Sequence, residues 1–306
     1  MLNADFSITT IVVLLALLLD QLLGEPKCWH PLVGFGRLAN AVEIKAPRSR
    51  LMGLFAWLIV VIPPVVLVNW LNAQISGLLN LSLQIACLYF SIGGRSLVQH
   101  AEAIYQPLVL GDISRARQNL SYIVSRDTCQ LDDKAIARAT IESVLENGAD
   151  AVFAAIFWFL ILGAPGVVLY RLANTLDAMW GYRNPRFLAF GWAAARFDDL
   201  LNLVPARLTA LSYCLCGNIN SGWRCWRQQA STWYSPNAGP VMAAGAGALE
   251  ICLGGSALYH GKLKSRPVLG CGAEVEAVDI SRACNLLQRS IGLWLMVIVI
   301  GALISA

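Results

Sequence analysis

Polar residues are scarce in this sequence, so its chemistry is carried where they cluster. Arg126-Asp127-Thr128 is followed by Glu142 and Glu146. Asn174 and Asp177 lead to Arg183-Asn184, and Arg196, Asp198 and Asp199 come next. Arg207 and the turn Ser235-Pro236-Asn237-Ala238-Gly239 complete the set, and His30 stands between Trp29 and Pro31 after the first apolar run. Carboxylates can take up protons or hold a hard cation, and guanidiniums match phosphate oxygens two at a time. Plainer roles compete. Arg138, Glu142 and Glu146 recur every fourth residue and share a helical face, so Arg138 and Glu142 read equally well as a local ion pair. Asp198 and Asp199 point ~100° apart on a helix, which lets one of them face a site. His30 also suits a turn, and His100 and His260 have no partner at ligand spacing. Asp20 lies near the inner end of an apolar run, where an ionisable residue is either functional or simply snorkels or caps.

The elements that must position these groups are greasy. Of the 306 residues, 57% are hydrophobic and 14% charged, and the mean hydropathy is +0.58. A soluble domain carries about 25% charged residues, so lipid must shield much of this surface. A spanning helix needs ~20 mostly apolar residues. Phe6–Leu23, Leu51–Leu71, Ile75–Ile92 and Ile291–Ala306 approach or meet that length, interrupted by a charge only at Asp20. The first run has no basic residue before it and no small-residue cleavage site after it, so it reads as a retained helix and not as a signal peptide. The 23 Lys and Arg fall into three segments: five in 27–50, six in 95–138 and twelve in 171–289. Four spans put all of them on one face, which the positive-inside rule makes cytoplasmic, with both termini periplasmic.

Between the spans, residues 93–150 read as cytoplasmic helices, one of them amphipathic with Asp132 or Asp133 at its start. Residues 151–170 carry no charge, but Gly163-Ala164-Pro165-Gly166 cuts them in the middle, which predicts a re-entrant pair of half-helices. Leu200–Cys216 and Val241–Tyr259 read as helices packed at the interface or lining a site. Nine scattered cysteines, with one C-x-C at Cys214 and Cys216, predict neither zinc nor a disulfide framework. Gly254-Gly255-Ser256 to Gly261-Lys262-Leu263 has the wrong spacing for a P-loop. The expected architecture is all-α and polytopic, with about four firm transmembrane helices, a broken or re-entrant segment and cytoplasmic-face helices, in a single domain over 1–306.

In their order along the chain these motifs resemble the adenosylcobinamide-phosphate synthases (CobD/CbiB) of cobalamin biosynthesis. The resemblance runs nearly end to end. It takes in Leu19-Asp20, Gly24-Glu25-Pro26, His30-Pro31, Arg126-Asp127-Thr128, Glu142-Ser143 and Glu146-Asn147. It continues through Asn174-Thr175-Leu176-Asp177, Gly181-Tyr182-Arg183-Asn184, Phe190 to Arg196 with Asp198-Asp199, Pro205 to Thr209, and Ser235 to Gly239. Two places depart from the pattern. Pro240-Val241-Met242 stand where the family usually has a Glu, and Ala151-Val152 follow Asp150 where Gly-Val is commoner.

The resemblance implies an ATP- and magnesium-dependent ligase that joins adenosylcobyric acid to 1-amino-2-propanol O-phosphate, or to ethanolamine phosphate, through an amide. On that reading the catalytic set is His30, Asp127, Glu142, Glu146, Asp177 and Asp198, with His30 a base or donor. Magnesium would fall to Asp127, Glu146, Asp177 and Asp199. Phosphates and substrates would fall to Arg126, Asn174, Arg183, Asn184, Arg196, Arg207, Ser235 and Asn237. The ATP requirement rests on the family alone. Nothing points to nucleic acid, because the net charge of +4 is explained by cytoplasmic loops. Partners are then the small substrates, the bilayer of a bacterial inner membrane, and other membrane-bound enzymes of corrinoid assembly. The competing classes are a transporter and a non-catalytic membrane sensor.

Overall fold

The structure is a computed structural model that describes residues 2–26, 30–259 and 262–305. Trp29, His260, Gly261 and Ala306, named above, lie outside the described residues. Contacts divide the chain into two compact units, residues 1–93 with 150–202 and 298–306, and residues 94–149 with 203–297. Among the described residues four helical runs are long and apolar enough to cross a membrane: Arg50–Gln74, Gly77–Val109, Asp133–Trp180 and Val278–Ser305. Ser7–Leu23 is a further, shorter apolar stretch. The chain is thus an all-α polytopic membrane protein.

The first unit holds α1 (Leu2–Leu23), α2 (Pro31–Lys45), α3 (Arg50–Gln74) and α4 (Gly77–Tyr89). His30 caps α2, its Nδ1 accepting from the Leu32 amide at 3.2 Å, with Pro31 at the first helical position. The short link from α3 to α4 is closed by Asn80, whose amide donates to the carbonyls of Asn72 and Ile75. The span expected to end at Ile92 stops as a helix at Tyr89 and turns at Phe90–Gly93. Asp20 is 1% exposed, so it does not snorkel.

The second unit opens with α5 (Gly94–Val109), α6 (Ile113–Ser121) and α7 (Asp133–Gly148), the last capped by Asp132, which accepts from the Ala135 amide at 2.8 Å. A π-turn at Ala149–Phe153 leads on into α8 (Ala154–Trp180) of the first unit. In α8, Gly163 adopts φ 65°, ψ −152°, a region essentially closed to residues with a Cβ. The chain doubles back there. A Cβ at Gly166 would lie 2.5 Å from the Trp158 carbonyl oxygen, whereas residues eight apart on one straight helix are ~12 Å apart along its axis. The Tyr170 hydroxyl likewise reaches the Asp150 carbonyl at 3.0 Å. Residues 151–170 therefore form the broken helical hairpin that Gly163 to Gly166 predicted. α9 (Trp192–Leu201) then completes the first unit, whose core sets Trp57, Val60 and Val61 of α3 against Leu172, Leu176 and Trp180 of α8.

In the second unit follow α10 (Leu203–Cys216), α11 (Ile219–Gln229) and α12 (Ala238–Leu249). All twelve residues of α12 are buried. Its small residues allow close approach, Gly247 lying where a Cβ would be 2.6 Å from the Ser221 carbonyl oxygen. Helix was expected to Tyr259, but it ends at Leu249, and Glu250 follows with φ 57°. Beyond it, β1 (Cys252–Gly254) pairs antiparallel with β4 (Val268–Gly270), and β2 (Ala257–Tyr259) with β3 (Lys262–Lys264). The physical reason is glycine: Gly254, Gly255 and Gly270 all take positive φ, which ends a helix and permits tight ribbons. α13 (Val278–Ser305) closes the chain. The eight described cysteines are free thiols.

Candidate functional site

In the first unit the site grows from the facing surfaces of α8 and α9. Asp198 is buried on α9 and accepts from Asn174 Nδ2 on one oxygen and Asn202 Nδ2 on the other, each at 3.1 Å. The Asn202 Oδ1 lies 3.0 Å from the Tyr170 hydroxyl. Burial raises the Asp198 carboxyl to a pKa of about 6, against the two amide donors, which favour its charged form. Asp199, one residue on, points away and pairs with Arg196 at 2.8 Å, within the field of Arg183. Burial raises its pKa too, and the two arginines oppose the shift. The ~100° rule thus separates an inner acid from an outer one.

Asp177 lies at the end of α8. Its carbonyl accepts from the Gly181 amide at 2.7 Å, and a Cβ at Gly181 would fall 2.0 Å from its Oδ1. Glycine at 181 therefore makes room for that carboxylate over the helix end. Asn184 fixes the following turn, its Oδ1 accepting from the Phe187 amide at 3.0 Å. His30 packs edge-on to Phe90, with ring centroids 5.6 Å apart. Its pKa is lowered by burial, with Glu25 opposing and Arg171 adding to the shift, so it is neutral at pH 7.

The second unit collects the remaining candidates. Glu142 of α7 is enclosed: its oxygens accept from Arg126 Nη2 at 2.5 Å, from both terminal nitrogens of Arg266 at 3.0 Å, and from the Gly254 amide at 2.9 Å. The local Arg138–Glu142 pair that competed with a site role does not form, because Glu142 turns inward to Arg126 and Arg266 while Arg138 lies in the field of Glu274. Glu146 is exposed on the same helix, and the Asp127 amide donates to the Leu258 carbonyl at 3.1 Å. Arg207 of α10 holds the Ser235–Gly239 turn: Nη1 donates to Asn237 Oδ1 at 2.8 Å and Nη2 to the Pro236 carbonyl at 3.0 Å. Ser235 Oγ accepts from the Asn237 and Ala238 amides at the start of α12.

Among the described residues no three His, Cys, Asp or Glu side chains converge as a metal site would require. The donors present fit a weaker demand. Magnesium arriving with a nucleotide needs one or two carboxylates and takes its remaining ligands from water and phosphate. Asp127, Glu146, Asp177 and Asp199 are the carboxylates that would hold such an ion, whereas the oxygens of Glu142 accept from two arginines and an amide.

Two partnerships were not legible in the sequence. Arg266 sits 124 residues from the Glu142 it clasps. Glu43, 0% exposed, takes a two-pronged contact from Arg186 at 2.6 and 2.9 Å and another from Arg48, which ties the 181–191 segment to α2. Neither has a local spacing signal.

The family model described as CobD/Cbib protein matches residues 13–287. A "Cobalamin biosynthesis protein CobD" of Chromobacterium violaceum is 60% identical over 290 residues, covering 92% of each chain. A protein of the same name from Stutzerimonas stutzeri is 56% identical over 95% of this chain and 97% of its own. One from Mycobacterium tuberculosis is 41% identical, over 89% and 88% respectively. No solved structure matches the chain. With nearly all of its length accounted for in this way, the chain belongs to the CobD/Cbib family.

Proposed function

We propose that the chain works in cobalamin biosynthesis as adenosylcobinamide-phosphate synthase. It would condense the free carboxylate of adenosylcobyric acid with the amine of 1-amino-2-propanol O-phosphate, or of ethanolamine phosphate, in a bacterial inner membrane. The observation that supports this best is a set of acids, guanidiniums and amides at the family's motif positions, in a chain otherwise built for lipid.

The bond formed is C–N. The ammonium gives up two protons and keeps one in the amide, the carboxylate C–O bond breaks, and its oxygen would leave with phosphate from ATP, which supplies the activation that a carboxylate lacks at pH 7. Asp177 and Asp199 are the acids suited to a magnesium-bound phosphate, and Arg183 and Arg196 are the guanidiniums suited to its charge. Asp198, titrating near 6, is the group able to accept a proton from the attacking amine near pH 7, and His30, whose Nδ1 accepts from the Leu32 amide, would serve as a donor through its other ring nitrogen. Burial and the paired amides hold Asp198 in one orientation.

The test is synthesis in detergent: purified protein, both substrates, ATP and magnesium should give adenosylcobinamide phosphate, detected by mass. Asp177→Asn and Arg183→Ala should each lower kcat/KM at least ~100-fold, as loss of a positioned acid or phosphate clamp does. Unchanged rates in both variants would remove these residues from the site. A transporter shares the broken hairpin, but it would move substrate across vesicles and form no product.

A further inference from the structure

The first unit contains a cavity of ≈ 420 Å³ that the proposed site does not use. Its walls are apolar, with Phe35, Leu38, Val68, Phe90 and Leu172 among them, and among the described residues Arg171 is the one charged side chain lining it. The Arg171 Nε is buried and meets no hydrogen-bond partner among the described residues. A buried N–H donor of a guanidinium left without an acceptor is costly, so an acceptor, best an anion, is expected there. Two links join it to the groups already described. His30, packed on Phe90, lies in the electrostatic field of Arg171. Asn174, which donates to Asp198, stands one turn along α8 on the same side.

The occupant must combine an anion with a bulky body that can turn an apolar edge to these walls. The amino-alcohol phosphate supplies an anion but lacks the bulk. It is small, and its ammonium would be repelled by Arg171 and stripped of water by apolar walls. The corrinoid acid fits, with a single carboxylate on a large ring system. Resting on the ligase reading, we infer that Arg171 is the residue that anchors the carboxylate of adenosylcobyric acid, with the apolar cavity taking the adjoining edge of the corrin. Arg171 is then a binding and positioning residue, which presents the carboxylate to the Asn174–Asp198 side of α8.

Equilibrium binding without ATP tests this, read by the corrinoid's own visible absorbance in detergent. Wild type, Arg171→Gln, Arg171→Lys and Leu38→Trp are each titrated with adenosylcobyric acid and with its carboxamide analogue. Arg171→Gln should weaken the acid roughly tenfold or more, the loss of a charge-assisted contact, and leave the amide unchanged. Arg171→Lys should weaken the acid less, and Leu38→Trp, by filling the cavity, should weaken both ligands. Should Arg171→Gln not fold, the lysine and tryptophan variants carry the comparison. If wild type binds the acid and every variant binds it equally well, this inference falls and the ligase reading stands. If wild type binds neither ligand, both fall. If phosphatidylglycerol, but not the corrinoid, binds in an Arg171-dependent way, the cavity is a lipid site and the inference is overturned.

Discussion

At Glu142 two guanidiniums and an amide converge on one buried carboxylate, and Arg266 is itself only 3% exposed in its side chain. Removing the acid strands a buried positive charge, and breaking such a pair from one side costs about 3–5 kcal/mol. Glu142→Gln should therefore lower the unfolding temperature in detergent by at least ~5 °C, followed by intrinsic fluorescence. The double variant Glu142→Leu/Arg266→Met should recover part of the loss, because removing both partners also removes the stranded charge. Asp198 gives a different signature. Its pKa of about 6 in the folded chain exceeds the ordinary ~3.9 of an unfolded aspartate. The protonated form is thus favoured by folding. Its contribution is fully present below pH ~4 and is lost as pH rises through ~6, amounting to roughly 2–3 kcal/mol. Asp198→Asn should abolish that slope, so the difference in unfolding temperature between variant and wild type should change between pH 4 and 6 and stay flat from pH 7 to 8. A constant difference over the whole range would show that Asp198 is not the titrating group.

At the scale of the element, the hairpin at residues 151–170 depends on two glycines. Gly163 holds a backbone conformation that costs a residue with a Cβ about 1–3 kcal/mol. At Gly166 a Cβ would meet the Leu162 Cβ at 2.4 Å and the Trp158 oxygen at 2.5 Å. Gly163→Ala should destabilise by that amount, and Gly166→Leu should do so more severely, since the half-helices must separate to admit it. Differential scanning fluorimetry gives the ranking, and an equal effect from a control at exposed Gly34, where a Cβ meets nothing within 4 Å, would contradict the account. This element was legible because glycine and proline write a break directly into an apolar run. The apolar helices were legible for a related reason: inside lipid every backbone group must be satisfied internally, which leaves one long, greasy solution. The ribbons over 252–270 were not, since strands of three residues are too short to show a period of two. Arg266 and Arg186 were missed on different grounds. An ion pair made on a buried carboxylate by an arginine 124 or 143 positions away is fixed by tertiary packing, and no local spacing encodes it.

For the whole molecule, the question is on which side of the bilayer the basic segments lie. We propose that all three face the cytoplasm. Moving a cluster of Lys and Arg through the membrane is what the positive-inside bias opposes, and the twelve basic residues of 171–289 are the largest cluster. They follow directly on 151–170, and there the geometry bears on the outcome. The Tyr170 hydroxyl reaches the Asp150 carbonyl at 3.0 Å, so the two ends of that apolar stretch lie together. A chain that enters and leaves at one level carries Arg171 and its successors back to the side on which Asp150 stands, and no additional span is needed to return them. The prediction can be checked with single-cysteine variants in spheroplasts and a membrane-impermeant maleimide. Exposed Cys129, in the middle basic segment, should react only after permeabilisation, as should a cysteine at exposed Ser231. Ser76→Cys, in the link between α3 and α4, should react in intact spheroplasts. If Ser231→Cys reacted without permeabilisation while Cys129 did not, the hairpin would have to be crossing the membrane and not folding back within it. Glu142 and Arg266 would then face opposite compartments, and the pair they make at 3.0 Å could not form.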